Sequence, residues 1–368
     1  MFIVTNREIN DRKRGLNKFG GKPNPEGANE LRIVEAIKEG RDWKVYILPD
    51  ELTDDDKLAV RLKREVGLKD PKDPADPSIP YYASDYVAAR LQRSIPKDRR
   101  HILLYVHGFN NDMKDVLDQA HALGTKYRME VIAFSWPALG GGAISGTLNY
   151  RRDKVTARLS VGALDRTIDK LHTFVKQANL KLMAKITREA DRKFPDNPVE
   201  RDAFIAQTAE DECPYCVSAL FHSMGNYLFK HALLSDIFQS RAPVFDNVIL
   251  AAADTNNEGH AKWVDMINCR GRVFITINED DYALGASRLK LGDAQHARLG
   301  HYQRKLDAQR PIYVDFTEVD QVGKAHTYFI GGPTRNKKVA RFFRHAFRGK
   351  RSETNLKYHS DANIYRFR

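Results

Sequence analysis

Clusters of four to six apolar residues alternate with longer amphipathic stretches over most of this chain, a rhythm that predicts strands followed by helices. Residues 2–5, 31–36 and 43–48 read as short edge strands, separated by a Gly- and Asn-rich stretch at 17–29. Residues 51–100 are polar. Two helix-like pieces there flank the run KDPKDPADPSIP, whose prolines remove backbone donors and forbid regular structure, so the segment is expected to be a surface insertion.

From residue 101 the pattern becomes a regular βα alternation. Residues 101–106 are strand-like, and Leu117, Ala120, Leu123 and Tyr127 then fall on one helical face. Residues 131–135 form the next strand, followed by a Gly-rich loop at 139–146. A long helix comes next, with Val161, Leu164, Ile168, Leu171, Val175, Ala178 and Leu182 at alternating steps of three and four. The charged segment 188–212 is expected to be a second, lid-like insertion. Strands are expected at 217–221, 248–252, 272–277 and 312–316, with helices at 227–238 and 336–348. Such alternation predicts an α/β fold with a mostly parallel central sheet and helices on both faces. A single domain over residues 1–348 is expected, followed by a basic tail at 349–368.

Composition changes this picture in several places. Eighteen Phe, 15 Tyr and 42% hydrophobic residues suffice for a large core and exclude a disordered chain. Without a long apolar run or a signal-peptide pattern at the N-terminus, a cytoplasmic location is expected. Three cysteines are too few for a disulfide framework. The net charge of +12 is uneven, because residues 335–368 hold 11 basic and two acidic residues. Aromatics interleave with those charges, which suits an anionic surface or a protein partner. No nucleic-acid-binding fold signature accompanies them, so specific nucleic-acid binding is not expected. Cys213-Pro-Tyr-Cys216 has redox spacing but precedes a strand instead of opening a helix, and no zinc ligands lie near it in sequence.

The segment CVSALFHSMGNYL, residues 216–228, carries the clearest chemistry. An apolar strand runs into His222-Ser223-Met224-Gly225 and a helix follows at once, a bend that exposes the central side chain above the sheet. Ser223 is therefore a nucleophile candidate, with a simple helix cap as its alternative role. The Met224 N–H, opening the helix, is a candidate oxyanion donor. Upstream, Val106-His107-Gly108-Phe109-Asn110 ends another strand. Gly108 permits close approach there, and the Phe109 N–H is the second donor candidate. His107, Gly108, Trp136 and His222 are expected to line the substrate site.

An activated serine needs a base and a carboxylate that orients it, in the chain order serine, acid, histidine. Asp281, in the acidic turn after strand 272–277, is the preferred acid. Asp280 competes closely, and Asp254 is the more distant alternative. His326, after the last strand, is the preferred base over His296 and His301.

Together these segments resemble the α/β-hydrolase family catalogued as a domain of unknown function, DUF900, over residues 100–348. The resemblance rests on VHGFN at 106–110, FSWP at 134–137, Tyr150 with Asp153, HSMGN at 222–226, AAAD at 251–254, DYAL at 281–284, RLG at 298–300 and HTYF at 326–329, with a fainter echo in Thr5-Asn6-Arg7. It implies the α/β-hydrolase fold and a triad of Ser223, Asp281 and His326. Phe221, Ala253 and Ala325 depart from the family pattern. The expected chemistry is acyl transfer from a small-molecule acyl ester or thioester, with no cofactor and no metal. The alternative is a catalytically silent scaffold that binds a partner through its insertions and tail.

Overall fold

The N-terminal residues form β1 (Phe2–Thr5), then β2 (Arg7–Ile9) and β3 (Phe19–Pro23), which pair in a two-stranded sheet of their own, and then β4 (Arg32–Glu39) and β5 (Asp42–Ile47), which with β1 make one wing of a large sheet. Two helices follow, α1 (Lys57–Val66) and α2 (Ala83–Ser94), and then β6 (Ile102–Val106), α3 (Met113–Tyr127) and β7 (Glu130–Ser135). A helical excursion, α4 (Gly146–Leu159), α5 (Val161–Lys193) and α6 (Pro198–Asp211), precedes β8 (Val217–His222) and α7 (Met224–Leu233). The remainder comprises β9 (Val248–Ala251), α8 (Ala261–Val264), β10 (Val273–Ile277), α9 (Tyr282–Ser287), β11 (Pro311–Asp315), α10 (Lys337–Phe347), β12 (Lys357–His359) and β13 (Ile364–Arg366). This computed structural model describes all residues except 95–100, 141–145, 212–214, 236–242 and 288–296.

Among the described residues eleven strands form the main sheet, in the order β12-β13-β11-β10-β9-β8-β6-β7-β1-β4-β5. The run from β13 to β1 is parallel, and among the described residues the antiparallel pairs of this sheet lie at its wings. The parallel strands are buried on both faces because their side chains alternate between two cores. Ile102, Leu104 and Val106 of β6 join the core under α5 and α7, while Leu103 and Tyr105 join the core under α3 and α10. This is the expected α/β-hydrolase architecture. Strand order reverses between β6 and β8, with β7 on one side of β6 and β8 to β11 on the other. That reversal places a crevice at the carboxyl ends of β6 and β8.

Three expectations change. The 51–100 segment does carry two helices, but Leu62, Val66, Tyr86 and Leu91 are buried in the main core, so it covers the sheet and is no detached excursion. The 188–212 segment is no irregular lid: α5 runs on to Lys193, and α6 folds back along it. Residues 349–368, expected to be a tail, instead supply β12 and β13. Val314 and Asp315 pair with Tyr365 and Arg366, and Ile364 is fully buried. Among the described residues no helix is long and apolar enough to cross a membrane.

Candidate active site

Ser223 sits in the single residue between β8 and α7, with φ 53° and ψ −120°. A non-glycine residue at positive φ is strained and persists only where its surroundings over-determine it. Here the Ser223 N–H donates to the Ala251 carbonyl at 3.0 Å, and the Ser223 carbonyl accepts from Asn226 N at 3.0 Å and Asp254 N at 3.2 Å. The serine hydroxyl makes no capping bond to α7, so a helix cap does not account for this residue.

Neighbouring residues make the bend possible. A Cβ on Gly225 would fall 2.7 Å from the Val106 carbonyl and 2.8 Å from that of His107, so only glycine lets α7 start this close to β6. Phe221 departs from the usual small residue but points into the core, stacked on Phe229 with ring centroids 3.8 Å apart. It therefore leaves the bend uncrowded. Asn226, which sequence reasoning did not single out, is fully buried; its amide donates to the carbonyls of Phe221, Ser223 and Ala251 at 2.9, 3.1 and 3.2 Å. An Asn three residues into an apolar-faced helix was the available signal.

Asp281 and His326 meet although 45 positions apart: His326 Nδ1 lies 2.7 Å from Asp281 Oδ2. Asp281 is fully buried, and its other oxygen accepts the Ala283 and Leu284 amides at the start of α9. The loop bearing His326 is held from three sides. The buried Asn278 donates to the carbonyls of Gly323 and Ala325 at 2.8 and 3.3 Å. Tyr328, two residues on, anchors its hydroxyl between Thr276 and the Ala252 amide. His222, the neighbour of Ser223, donates from Nε2 to the His326 carbonyl at 3.3 Å, with the two imidazoles 4.7 Å apart. Burial and the nearby His326 hold the His222 pKa well below that of a free imidazole, so His222 is neutral.

The competing residues lie elsewhere. Asp280 is exposed. Asp254 is buried in a separate network, accepting from the Tyr150 hydroxyl at 2.9 Å and the Ser287 hydroxyl at 3.1 Å, and pairing with the buried Arg298 at 3.2 Å. His301 belongs to the 3₁₀ turn Leu299–His301 that packs on α9. His296 and Cys213 lie outside the described residues, and so does most of the Gly-rich loop at 139–146.

After β6, Gly108 is pressed against the serine: a Cβ there would be 2.6 Å from Ser223 Cβ and 3.2 Å from its Oγ. Phe109 follows, its ring edge-on to Tyr150 at 5.5 Å, and Met224 opens α7 on the other side of Ser223. Two expected substrate contacts are corrected. His107 and Trp136 are fully buried and stack on each other 5.0 Å apart, the indole N–H donating to the His107 carbonyl at 2.9 Å. Desolvation, with the charge of Arg7, lowers His107 to a pKa of about 3. This pair ties the β6 and β7 loops together and exposes no surface of its own to the crevice.

A bend of this kind at the reversal point of a doubly covered parallel sheet, with an acid and a histidine delivered by later strands, defines an α/β hydrolase. The chain belongs to the family described as alpha/beta hydrolase of unknown function (DUF900), whose model matches residues 84–187 and 199–334. The match begins within α2 and takes in α6 from its second residue on, so the unmatched stretch between its two parts, 188–198, is shorter than the insertion expected from the sequence. No curated protein and no solved structure matches the chain.

Proposed function

We propose that this protein is a serine hydrolase that cleaves an ester or thioester by acyl transfer to Ser223. The observation that carries the reading is the 2.7 Å contact between His326 Nδ1 and the fully buried Asp281, on a loop bonded to the residue beside the strained Ser223. With Nδ1–H donated to the carboxylate, Nε2 keeps the lone pair that removes the serine proton, and Asp281 stabilises the imidazolium that forms. Ser223 Oγ then attacks the acyl carbon, and the Phe109 and Met224 amides receive the oxyanion. Collapse expels the alcohol or thiol with the proton from His326. Water, deprotonated in turn by His326, releases the acid. Esters and thioesters suit such a site because neither demands strong protonation of its leaving group.

A fluorophosphonate probe tests this directly. Wild-type protein is expected to be labelled, Ser223→Ala to remain unlabelled, and His326→Ala to lose most of the labelling rate. Folded, monodisperse wild type that takes up no probe would refute the enzyme and leave a binding scaffold. An acyl-chain-length series of p-nitrophenyl esters then sorts the substrate.

A further inference from the structure

Two buried charged residues, Arg7 and Asp153, have no part in that chemistry, yet they grip the same pair of loops with opposite polarity. Arg7, just past the end of β1, is 1% exposed. Its guanidinium donates to the Asn111 carbonyl at 2.8 Å in the loop after β6 and to the Ala138 carbonyl at 2.6 Å in the loop after β7. It also reaches the Gly20 carbonyl at 3.1 Å and the Ser135 hydroxyl at 2.9 Å. Asp153, on α4, is fully buried and accepts the adjacent amides: Asn110 N at 3.2 Å and Leu139 N at 3.3 Å. In each loop, then, one carbonyl is held by the cation and the next-door amide by the anion.

The loops themselves need holding. Asn110 has φ 58°, a strained value for a side-chain-bearing residue. Gly140 packs so closely on the other loop that a Cβ would lie 2.8 Å from that of Asp112. Phe109 lies between Gly108, pressed on Ser223, and Asn110, held by Asp153. Burying both ions costs several kcal/mol each, and an apolar pair of similar volume would fill the space without that cost. A charged, multivalent pair satisfies carbonyls and amides of both loops at once.

Resting on the proposed acyl transfer, we propose that Arg7 and Asp153 act jointly as positioning residues that keep the Phe109 N–H aimed at the developing oxyanion. They touch neither substrate nor nucleophile, so their loss should slow the chemical step and leave binding intact. The test compares wild type, Asp153→Asn, Arg7→Met, Arg7→Lys and the Arg7→Met/Asp153→Asn double variant. It measures p-nitrophenyl acetate turnover, the phosphonylation rate of Ser223 and folding by calorimetry. Asp153→Asn keeps the shape but can accept only one of the two amides. It should lose about 10- to 100-fold in kcat and in phosphonylation rate with KM changed less than about twofold. Arg7→Lys should recover part of what Arg7→Met loses. The double variant should fall little below the worse single one.

Folded Asp153→Asn and Arg7→Lys with wild-type kcat and phosphonylation rate would overturn the proposal, even if Arg7→Met fails to fold. Full additivity in the double variant would overturn the joint role. A wild type that takes up no probe would remove the nucleophile, a failure distinct from these.

Discussion

Gly108 and Ser223 are in such close contact that a single methyl on the first would overlap the second, at 2.6 Å from its Cβ. Gly108→Ala must therefore push the β6 loop off the serine. Because a displacement of about 1 Å can cost on the order of 100-fold, the variant should lose roughly that factor in kcat/KM. Its far-UV circular dichroism should stay that of the wild type. Wild-type turnover by Gly108→Ala would show that the loop plays no part in the reaction.

Ser223 holds a backbone conformation that suits glycine. Ser223→Gly should abolish probe labelling while raising stability over Ser223→Ala by about 1–3 kcal/mol, the range of such strain. Urea unfolding of the two inactive variants side by side measures the difference. Equal midpoints would mean that the bend stores no strain.

The two buried aspartates near the serine should part company on mutation. Asp254→Ala removes the carboxylate 3.2 Å from the buried Arg298 and the acceptor of the Tyr150 and Ser287 hydroxyls, and should cost about 3–5 kcal/mol of stability. The folded fraction should still take up probe. Asp281→Asn disturbs the bond to His326 and should lose labelling by several orders of magnitude with a smaller change in stability. The reverse pattern would make Asp254 the acid.

Burial raises the Asp153 carboxyl pKa to about 6, against the opposing pull of the Asn110 and Leu139 amides and Arg7. Its folded value lies above the unfolded value of about 3.9, so the folded protein holds the proton more firmly. This contribution to stability is complete below about pH 4 and is lost as pH rises through 6. Between pH 4 and pH 7 wild type should lose up to about 3 kcal/mol relative to Asp153→Asn. Denaturant titrations at four pH values read this, and a constant difference would contradict it.

Much of the candidate centre was legible because its residues lie on the segments that follow apolar strands. Ser223 directly follows β8, Asp281 follows β10 by a short turn, and His326 follows β11 by a longer loop, and each position shows in a one-dimensional pattern. Side-chain direction does not. His107 and Trp136 also follow strands, and nothing in their spacing revealed that they face each other beneath the loops instead of the crevice. Asp153 was visible only as a motif partner of Tyr150, since an acid on the buried side of a helix has no periodic signature. β12 and β13 were missed for another reason: three-residue strands, one of them joined to β11 at two positions, are too short to establish a period of two. The break between α4 and α5 at Ser160 passed unnoticed because no proline marks it.

The path of the chain between β6 and β8 bears on how the protein acquires its shape. These two strands are neighbours at the centre of the sheet, with Ile102 beside Val217 and Val106 beside Phe221, yet α3, β7 and the whole three-helix excursion intervene. Ladders of such high contact order form slowly, since a long stretch must be ordered before its ends gain anything by meeting. The left-handed bend at 223 and the close fit of residues 108 and 225 depend on that meeting. The bend at 223 is thus expected to take its final form late in folding, after β6 and β8 have met.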